Sequence, residues 1–153
     1  MLDLFSEFQM FVSKLSKQRI DYALCGGLAM AVYGIVRATV DMDFLILVES
    51  LDDVKAIARE MGYTFEAQPM RFASGAIEIR RISKIDPDSN DLLMLDLLLV
   101  TPLIQDVWES RTELEWERES LSVVSREGLI KLKSFRGSGQ DNDDIKRLRG
   151  TES

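Results

Sequence analysis

The chain has 153 residues, of which 46% are hydrophobic and 29% charged, and its formal net charge is −7. These values predict one soluble globular domain, long enough for a real core but not for two sizeable ones. The acidic charge argues against a surface that coats nucleic acid, because that role needs a field attractive to phosphate. A local basic patch stays open, and the acidic excess is also what a solubility feature would produce.

The sequence contains no histidine and a single cysteine, Cys25. The missing histidine excludes Ser-His-Asp triads, histidine-ligated zinc and an imidazole general base. A metal site would therefore use oxygen ligands, which favours Mg²⁺ or Mn²⁺. A lone cysteine excludes an intramolecular disulfide and suits a reducing cytosol, so we expect a cytoplasmic protein. Apolar runs shorter than the ~18 residues of a membrane span, and an N-terminus unlike a secretory signal, predict no membrane association.

Hydrophobic periodicity and turn residues predict alternating helices and strands in the first half of the chain. In chain order these are a helix over residues 3–18, a strand over 20–25, a turn at Gly26-Gly27, a helix over 28–33, a strand over 44–48 and a helix over 51–61 capped by Ser50.

The second half is predicted to contain more strands. In chain order they are short strands over 63–66, 71–73 and 76–82, a solvated loop over 86–91, an apolar strand over 92–100, a helix after Pro102, a hairpin over 113–118 and 121–124, a helix that begins after Ser125 and breaks at Gly137-Ser138-Gly139, and a last helix over 141–148. This order predicts an α/β (α+β) fold with a mixed sheet flanked by helices and with C-terminal helices. We expect residues 1–150 to form the single domain and residues 151–153 a disordered tail.

Three aspartates stand where packing alone does not explain them. Asp41 and Asp43 lie two residues apart at the start of an apolar run, so on a strand they would share one face, ~6.5–7 Å apart. Asp96 lies in the middle of the apolar run LMLDLLLV, where an isolated ionised carboxylate is costly to bury. It requires a cation, protonation or an edge position facing water. Were the two strands adjacent, the three acids would converge and Mg²⁺ would neutralise them.

Each of these features has an ordinary structural explanation when taken alone. Acid-x-acid pairs are common at strand starts, a lone aspartate can be a hydrogen-bonding core residue, and a glycine pair is usually a turn. Their order along the chain favours a site. Gly26-Gly27 carries a strand into a helix, which exposes backbone N–H groups to phosphate and lets a triphosphate approach closely. Neither a P-loop lysine nor a G-x-G-x-x-G fingerprint accompanies it.

These residues resemble the nucleotidyltransferase fold superfamily. The resemblance rests on Gly26-Gly27, on Arg37-x-Thr39-x-Asp41-x-Asp43, on Asp96, and on the C-terminal stretch Lys133-x-x-x-Gly137-x-x-Gln140-Asp141-x-x-Asp144-Ile145. Within the superfamily the sequence is most similar to the small nucleotidyltransferases of the abortive-infection, type IV toxin–antitoxin group. The resemblance spans residues 1–150.

The resemblance implies a metal-dependent nucleotidyltransferase, which moves a nucleoside monophosphate from an NTP to an acceptor hydroxyl on RNA, a protein or a small molecule. Mg²⁺ or Mn²⁺ would be the cofactor. It implies that the catalytic and metal-binding residues are Asp41, Asp43 and Asp96. The implied nucleotide-binding residues are Gly26, Gly27, Arg37, Thr39, Lys133 and Asp141.

The Ser138 departure from the subgroup and the small size of the chain keep an alternative open. The subgroup carries an arginine where Ser138 stands here, and many superfamily members have Gly-Ser in place of Gly26-Gly27. The alternative is a catalytically degenerate member that binds nucleotide or a partner protein, as half of a toxin–antitoxin-type regulatory pair. The intact set of three aspartates opposes it. A purely structural α/β module is the third hypothesis.

Overall fold

The computed structural model describes residues 3–36, 39 and 41–150. The helices are α1 (Leu4–Lys17), α2 (Gly26–Val32), α3 (Leu51–Glu60), α4 (Gln105–Glu109), α5 (Arg126–Arg136) and α6 (Gly139–Gly150). The strands are β1 (Ala23–Cys25), β2 (Asp41–Ile46), β3 (Phe65–Glu66), β4 (Met70–Phe72), β5 (Ile77–Ile85), β6 (Leu92–Leu99), β7 (Thr112–Trp116) and β8 (Glu119–Val123). The predicted tail over residues 151–153 lies outside the described residues.

The strands of the described chain form one mixed sheet, which confirms the predicted fold class. Its order is β3-β5-β6-β2-β1-β8-β7, and β4 pairs with β5 away from this path. The pairs β2–β6 and β1–β8 are parallel, whereas the other pairs are antiparallel. In the part of the chain that the structure covers, no helix combines the length and apolarity needed to cross a membrane.

Strand β2 divides the molecule into two chemically different faces. Side chains alternate along a strand, so Phe44 points to the opposite face from Asp41 and Asp43. Phe44 is fully buried and its ring centroid lies 5.0 Å from that of Phe11 and 6.1 Å from that of Phe8, both on α1. The aromatic cluster fixes α1 on one face of the sheet, and the aspartates are left on the other.

The structure changes three predicted boundaries in this region. Asp41 and Asp43 lie within β2 rather than before it, because β6 pairs with β2 from Asp41 onwards. Strand β1 is shorter than predicted and starts at Ala23. The glycine pair is not a separate turn: Gly26 has φ +68°, which redirects the chain within one residue, and α2 begins there.

The C-terminal helices follow the predicted capping signals. The Ser125 hydroxyl accepts a hydrogen bond from the Gly128 N–H at 3.0 Å, so α5 begins where expected. Helix α5 ends at Gly137, whose φ of 67° is typical of a left-handed cap. Helix α6 begins at Gly139, two residues before its predicted start, and packs against α5.

A buried ion pair connects α1 to the sheet. The Glu7 carboxylate is 5% exposed and lies 2.5 Å from the Lys84 Nζ of β5. The Tyr63 hydroxyl donates to the same carboxylate oxygen at 3.3 Å, and the Lys84 ammonium lies 5.6 Å from the Tyr63 ring centroid. Because Glu7 is buried, its carboxylate takes its polar contacts from these two partners.

Replacing Lys84 with methionine is therefore expected to lower the free energy of unfolding by about 2 kcal/mol, since it leaves a buried carboxylate without its cation. The measurement is urea denaturation at neutral pH. The matched control is Lys131→Met, which breaks a pair with the exposed Asp106 and should cost under about 1 kcal/mol. Equal losses in the two variants would contradict a special role for the Glu7–Lys84 pair.

Candidate functional site

The parallel pairing of β2 and β6 brings two of the predicted site residues side by side. Asp43 is the register partner of Asp96, and Asp41 is the partner of Met94. Neighbouring strands lie ~4.8 Å apart, and directly paired side chains point to the same face. Residues separated by more than 50 positions in sequence therefore share one small region of the sheet. Their roles as metal ligands stay a prediction.

An arginine that the sequence analysis did not identify holds Asp96. Strand β5 places Arg81 opposite Asp96, and its Nε and Nη2 atoms donate to the two carboxylate oxygens at 2.7 and 2.9 Å. Asp96 is only 1% exposed. The bidentate pair explains how the apolar strand accommodates a carboxylate, and hydrogen bonding to Asp96 raises the pKa of Arg81 above its ordinary value. The available signal was the position of Arg81 in phase with Ile77 and Ile79, on the buried face of β5.

The aspartates repel one another. Burial, followed by the negative charges of Asp96 and Asp41, raises the pKa of Asp43 to about 7. The nearby cations Arg136 and Lys133 act in the opposite direction but do not cancel the effect. The site therefore favours an additional positive charge beside Asp43.

The donor set fits a magnesium ion shared with a nucleotide better than a closed protein cage. Within residues 3–36, 39 and 41–150, no three acidic or thiol side chains form a group that would hold a metal by themselves. Both oxygens of Asp96 accept hydrogen bonds from Arg81. Mg²⁺ is usually held by one or two carboxylates together with phosphate oxygens and water. Asp41 and Asp43, on one face of β2, meet that requirement.

Gly26 and Gly27 stand against the aspartate strand. A Cβ at Gly26 would overlap the Asp43 carboxylate, and φ of +68° disfavours any L side chain there. A Cβ at Gly27 would lie 3.0 Å from the Thr39 side chain. The Thr39 hydroxyl in turn contacts the Asp41 backbone, 3.4 Å from its N and 3.3 Å from its O. The glycines thus leave room for Asp43 and Thr39 at the start of α2.

Lys133 is buried among acids. Its Nζ lies 2.9 Å from Asp144 Oδ2 and 3.8 Å from Asp141 Oδ1. Asp141 Oδ2 also accepts hydrogen bonds from the Ser138 N–H at 3.2 Å and from the Ser138 hydroxyl at 2.6 Å. Ser138, which replaces the arginine expected from the resemblance, therefore organises the turn between α5 and α6.

A single cleft of about 310 Å³ collects these groups. It is lined by Gly26, Gly27, Thr39, Asp41, Asp43, Asp96, Lys133, Arg136, Ser138, Gln140 and Asp141. All the predicted site residues that the structure describes are on this list. Arg37 is outside the described residues. Arg136, at the end of α5, adds a cation to the lining of the cleft, and its guanidinium lies 5.6 Å from the Phe72 ring centroid.

No protein-family model and no curated protein matches this sequence. Solved structures do match over most of the chain. The lincosamide antibiotic adenylyltransferase LnuA, solved with lincomycin, has 17% identity and a TM-score of 0.65, over 95% of this chain and 96% of its own. ANT(2")-Ia, solved with adenylyl-2"-tobramycin, has 14% identity and a TM-score of 0.58, over 97% and 98%. An antigenic nucleotidyltransferase-like protein from Paracoccidioides brasiliensis has 19% identity and a TM-score of 0.52, over 94% and 73%.

These likenesses confirm the predicted fold: the chain has the nucleotidyltransferase fold. At such low identities they establish the fold alone. The closer similarity to the abortive-infection, type IV toxin–antitoxin group is not tested by them and stays a prediction.

Substituting Gly26 with alanine tests the contact with Asp43. We expect Gly26→Ala to displace the Asp43 carboxylate and to lower the free energy of unfolding by about 1–2 kcal/mol, the usual penalty for a left-handed alanine. Gly27→Ala is the matched control, since its Cβ meets only the Thr39 side chain and its φ is not left-handed. The measurements are thermal denaturation and isothermal titration with Mn²⁺. Equal effects of the two variants on Mn²⁺ affinity would contradict a specific role of Gly26 in making room for the Asp43 carboxylate.

Proposed function

We propose that this protein is a nucleotidyltransferase that moves a nucleoside monophosphate from an NTP to a hydroxyl group of a small molecule. The observation that carries the proposal is the cleft. Glycines, carboxylates and a lysine that come from distant parts of the chain line one cavity, on a fold shared with nucleotidyltransferases. A purely structural module would have no reason to gather several carboxylates beside a glycine pair.

The proposed reaction is an in-line displacement at the α-phosphorus. The acceptor oxygen forms a bond to phosphorus, the bond to the bridging oxygen breaks, and pyrophosphate leaves with that electron pair while the hydroxyl proton is released. Asp41 and Asp43 are the residues that would hold Mg²⁺, which when bound neutralises charge on the phosphate oxygens. Asp96 would stand beside them as the third predicted carboxylate.

Other residues that line the cleft suit the phosphate chain. Gly26 and Gly27 let phosphate oxygens approach the backbone, because neither carries a side chain. Lys133 and Arg136 supply positive charge, and charge-assisted contacts of this kind are about twice as strong as neutral hydrogen bonds. Asp141 and Asp144 hold the Lys133 ammonium in place before a ligand arrives.

Several features favour a small, cationic acceptor. LnuA and ANT(2")-Ia were solved with an antibiotic or its adenylylated product, and this chain covers 96% and 98% of their lengths. The net charge of −7 disfavours RNA, since a polyanion would be repelled. The same acidic net charge would attract a cationic amine to the protein. We therefore propose a hydroxylated amine as the acceptor, with RNA and protein hydroxyls as the competing outcomes of the test.

The decisive experiment follows the transfer of label from α-³²P NTPs in the presence of Mg²⁺. The acceptors are a panel of hydroxylated amines, a protein extract and total RNA. We expect transfer to an amine, and a loss of at least about 100-fold in Asp43→Asn, because the metal supplies several kcal/mol of transition-state stabilisation. Asp143→Asn, on the exposed side of α6, is the matched control and should retain activity.

Each other result selects a different function. Label on RNA or protein would overturn the small-molecule acceptor but keep the enzyme. Nucleotide binding without transfer to any acceptor would favour the degenerate, partner-binding alternative. Equal activity in Asp43→Asn and Asp143→Asn would remove Asp43 from the catalytic site.

Lys133 provides a second test through nucleotide affinity. Lys133→Met is expected to raise the KM for NTP by about 10-fold or more, since a hydrogen bond to a charged group contributes roughly 1.5–3 kcal/mol. Lys131→Met, two residues away on the same helix, should leave the KM unchanged. Assays run well below the melting temperature separate this effect from the loss of stability caused by leaving Asp141 and Asp144 without Lys133. A KM equal to that of the control would exclude Lys133 from nucleotide binding.

A further inference from the structure

We infer that Arg81 is a positioning residue of the site: its guanidinium fixes the Asp96 carboxylate beside Asp43. The inference rests on the proposed function and adds to it a residue outside the predicted nucleotide and metal set. In this role Arg81 orients a carboxylate of the cleft before a cation binds.

The geometry of the pair restricts Asp96 to one orientation. Two parallel N–H···O bonds, at 2.7 and 2.9 Å, join the planar guanidinium to both carboxylate oxygens. Each carboxylate oxygen has two lone pairs. The arginine uses one on each oxygen and leaves the others for a further partner. The Asp96 carboxylate is thus held in one orientation, and each of its oxygens can still accept a further contact.

Electrostatics explains why such a restraint is needed. Asp96 is 1% exposed and is the register partner of Asp43 across β2 and β6. Two ionised carboxylates at that spacing repel each other, and burial strengthens the repulsion. A free Asp96 side chain would turn away from Asp43 or leave the sheet face. The guanidinium supplies the opposing charge from β5, with 29% of its side chain exposed.

Arg80 offers a control within the same strand. It precedes Arg81 on β5, so its side chain points to the opposite face of the sheet. Its Nη1 reaches the Ile79 carbonyl at 3.5 Å. The two arginines have the same chemistry and neighbouring positions, but only Arg81 is paired with Asp96 in the described structure.

The test measures Mn²⁺ affinity by isothermal titration, in the presence of an NTP analogue that cannot transfer its α-phosphate, for the wild type, Arg81→Gln, Arg81→Lys and Arg80→Gln. Groups that orient metal ligands typically change metal affinity 10- to 100-fold. We expect Arg81→Gln to weaken Mn²⁺ binding by about that factor. Arg81→Lys should lose less affinity, because lysine keeps the positive charge but cannot make the bidentate contact. Arg80→Gln should stay within about twofold of the wild type. In the transfer assay, kcat should fall in Arg81→Gln while the KM for NTP changes little.

A double-mutant cycle separates positioning from a general structural effect. If Arg81 acts through Asp96, the variant Arg81→Gln/Asp96→Asn should bind Mn²⁺ as weakly as Asp96→Asn alone. Additive losses would overturn the inference. The double variant also carries no unpaired buried carboxylate at this position, so it provides a folded protein should Arg81→Gln not fold.

The remaining outcomes are equally informative. Tighter Mn²⁺ binding in Arg81→Gln would show that the arginine competes with the cation for Asp96, which contradicts positioning. Equal affinities in the Arg81→Gln and Arg80→Gln variants would overturn this inference but leave the proposed function unaffected. A wild-type protein that binds no Mn²⁺ even with the NTP analogue present would overturn both this inference and the metal-dependent function.

Discussion

The parallel pairing of β2 with β6 is the interaction on which the rest of the structure depends. Its register places Asp43 beside Asp96 and leaves Asp41 on the same face. A shift by one residue would send one of these carboxylates into the aromatic core around Phe44, because side chains alternate between the two faces of a strand. The hydrophobic contacts of Phe44 with α1 therefore determine the position of the acidic groups as well as the stability of the sheet.

The sequence allowed the element types and the fold class to be predicted, because each left a local signal, and the predicted site residues that the structure describes line one cleft. Apolar periodicity revealed the helices, and the misplaced aspartates revealed the acidic strands. The identity of the partner of Asp96 could not be predicted. Of the three predicted solutions, a cation, protonation and an edge position, the structure has the cation: it is Arg81, which belongs to a strand whose place beside β6 is set by sheet order. Neither sheet order nor strand register is encoded locally.

The site contains crowded carboxylates on one side and cations that are already paired on the other. Its acidic side is crowded, as the raised pKa of Asp43 indicates, whereas its cationic side is already engaged by carboxylates of α6. Arg81 and Lys133 each sit against aspartates, which limits the net repulsion in the protein without ligands. Under the proposed function, a nucleotide would bring phosphate to Lys133 and Arg136, and its accompanying cation to Asp41 and Asp43. Binding of the nucleotide with its cation would then balance the charges on both the cationic and the acidic side of the cleft.

The docking of α6 has a consequence for when the site can form during synthesis. Lys133 takes its acidic partners from Asp141 and Asp144, which belong to the last described helix, while the glycines and β2 come from the first third of the chain. The contacts of Phe44 with Phe8 and Phe11 involve only residues from the first third of the chain. The acidic partners of Lys133 are absent until residue 144 has been made. A nascent chain can thus form the aromatic contacts between α1 and β2 before it can form the ion pairs that hold Lys133.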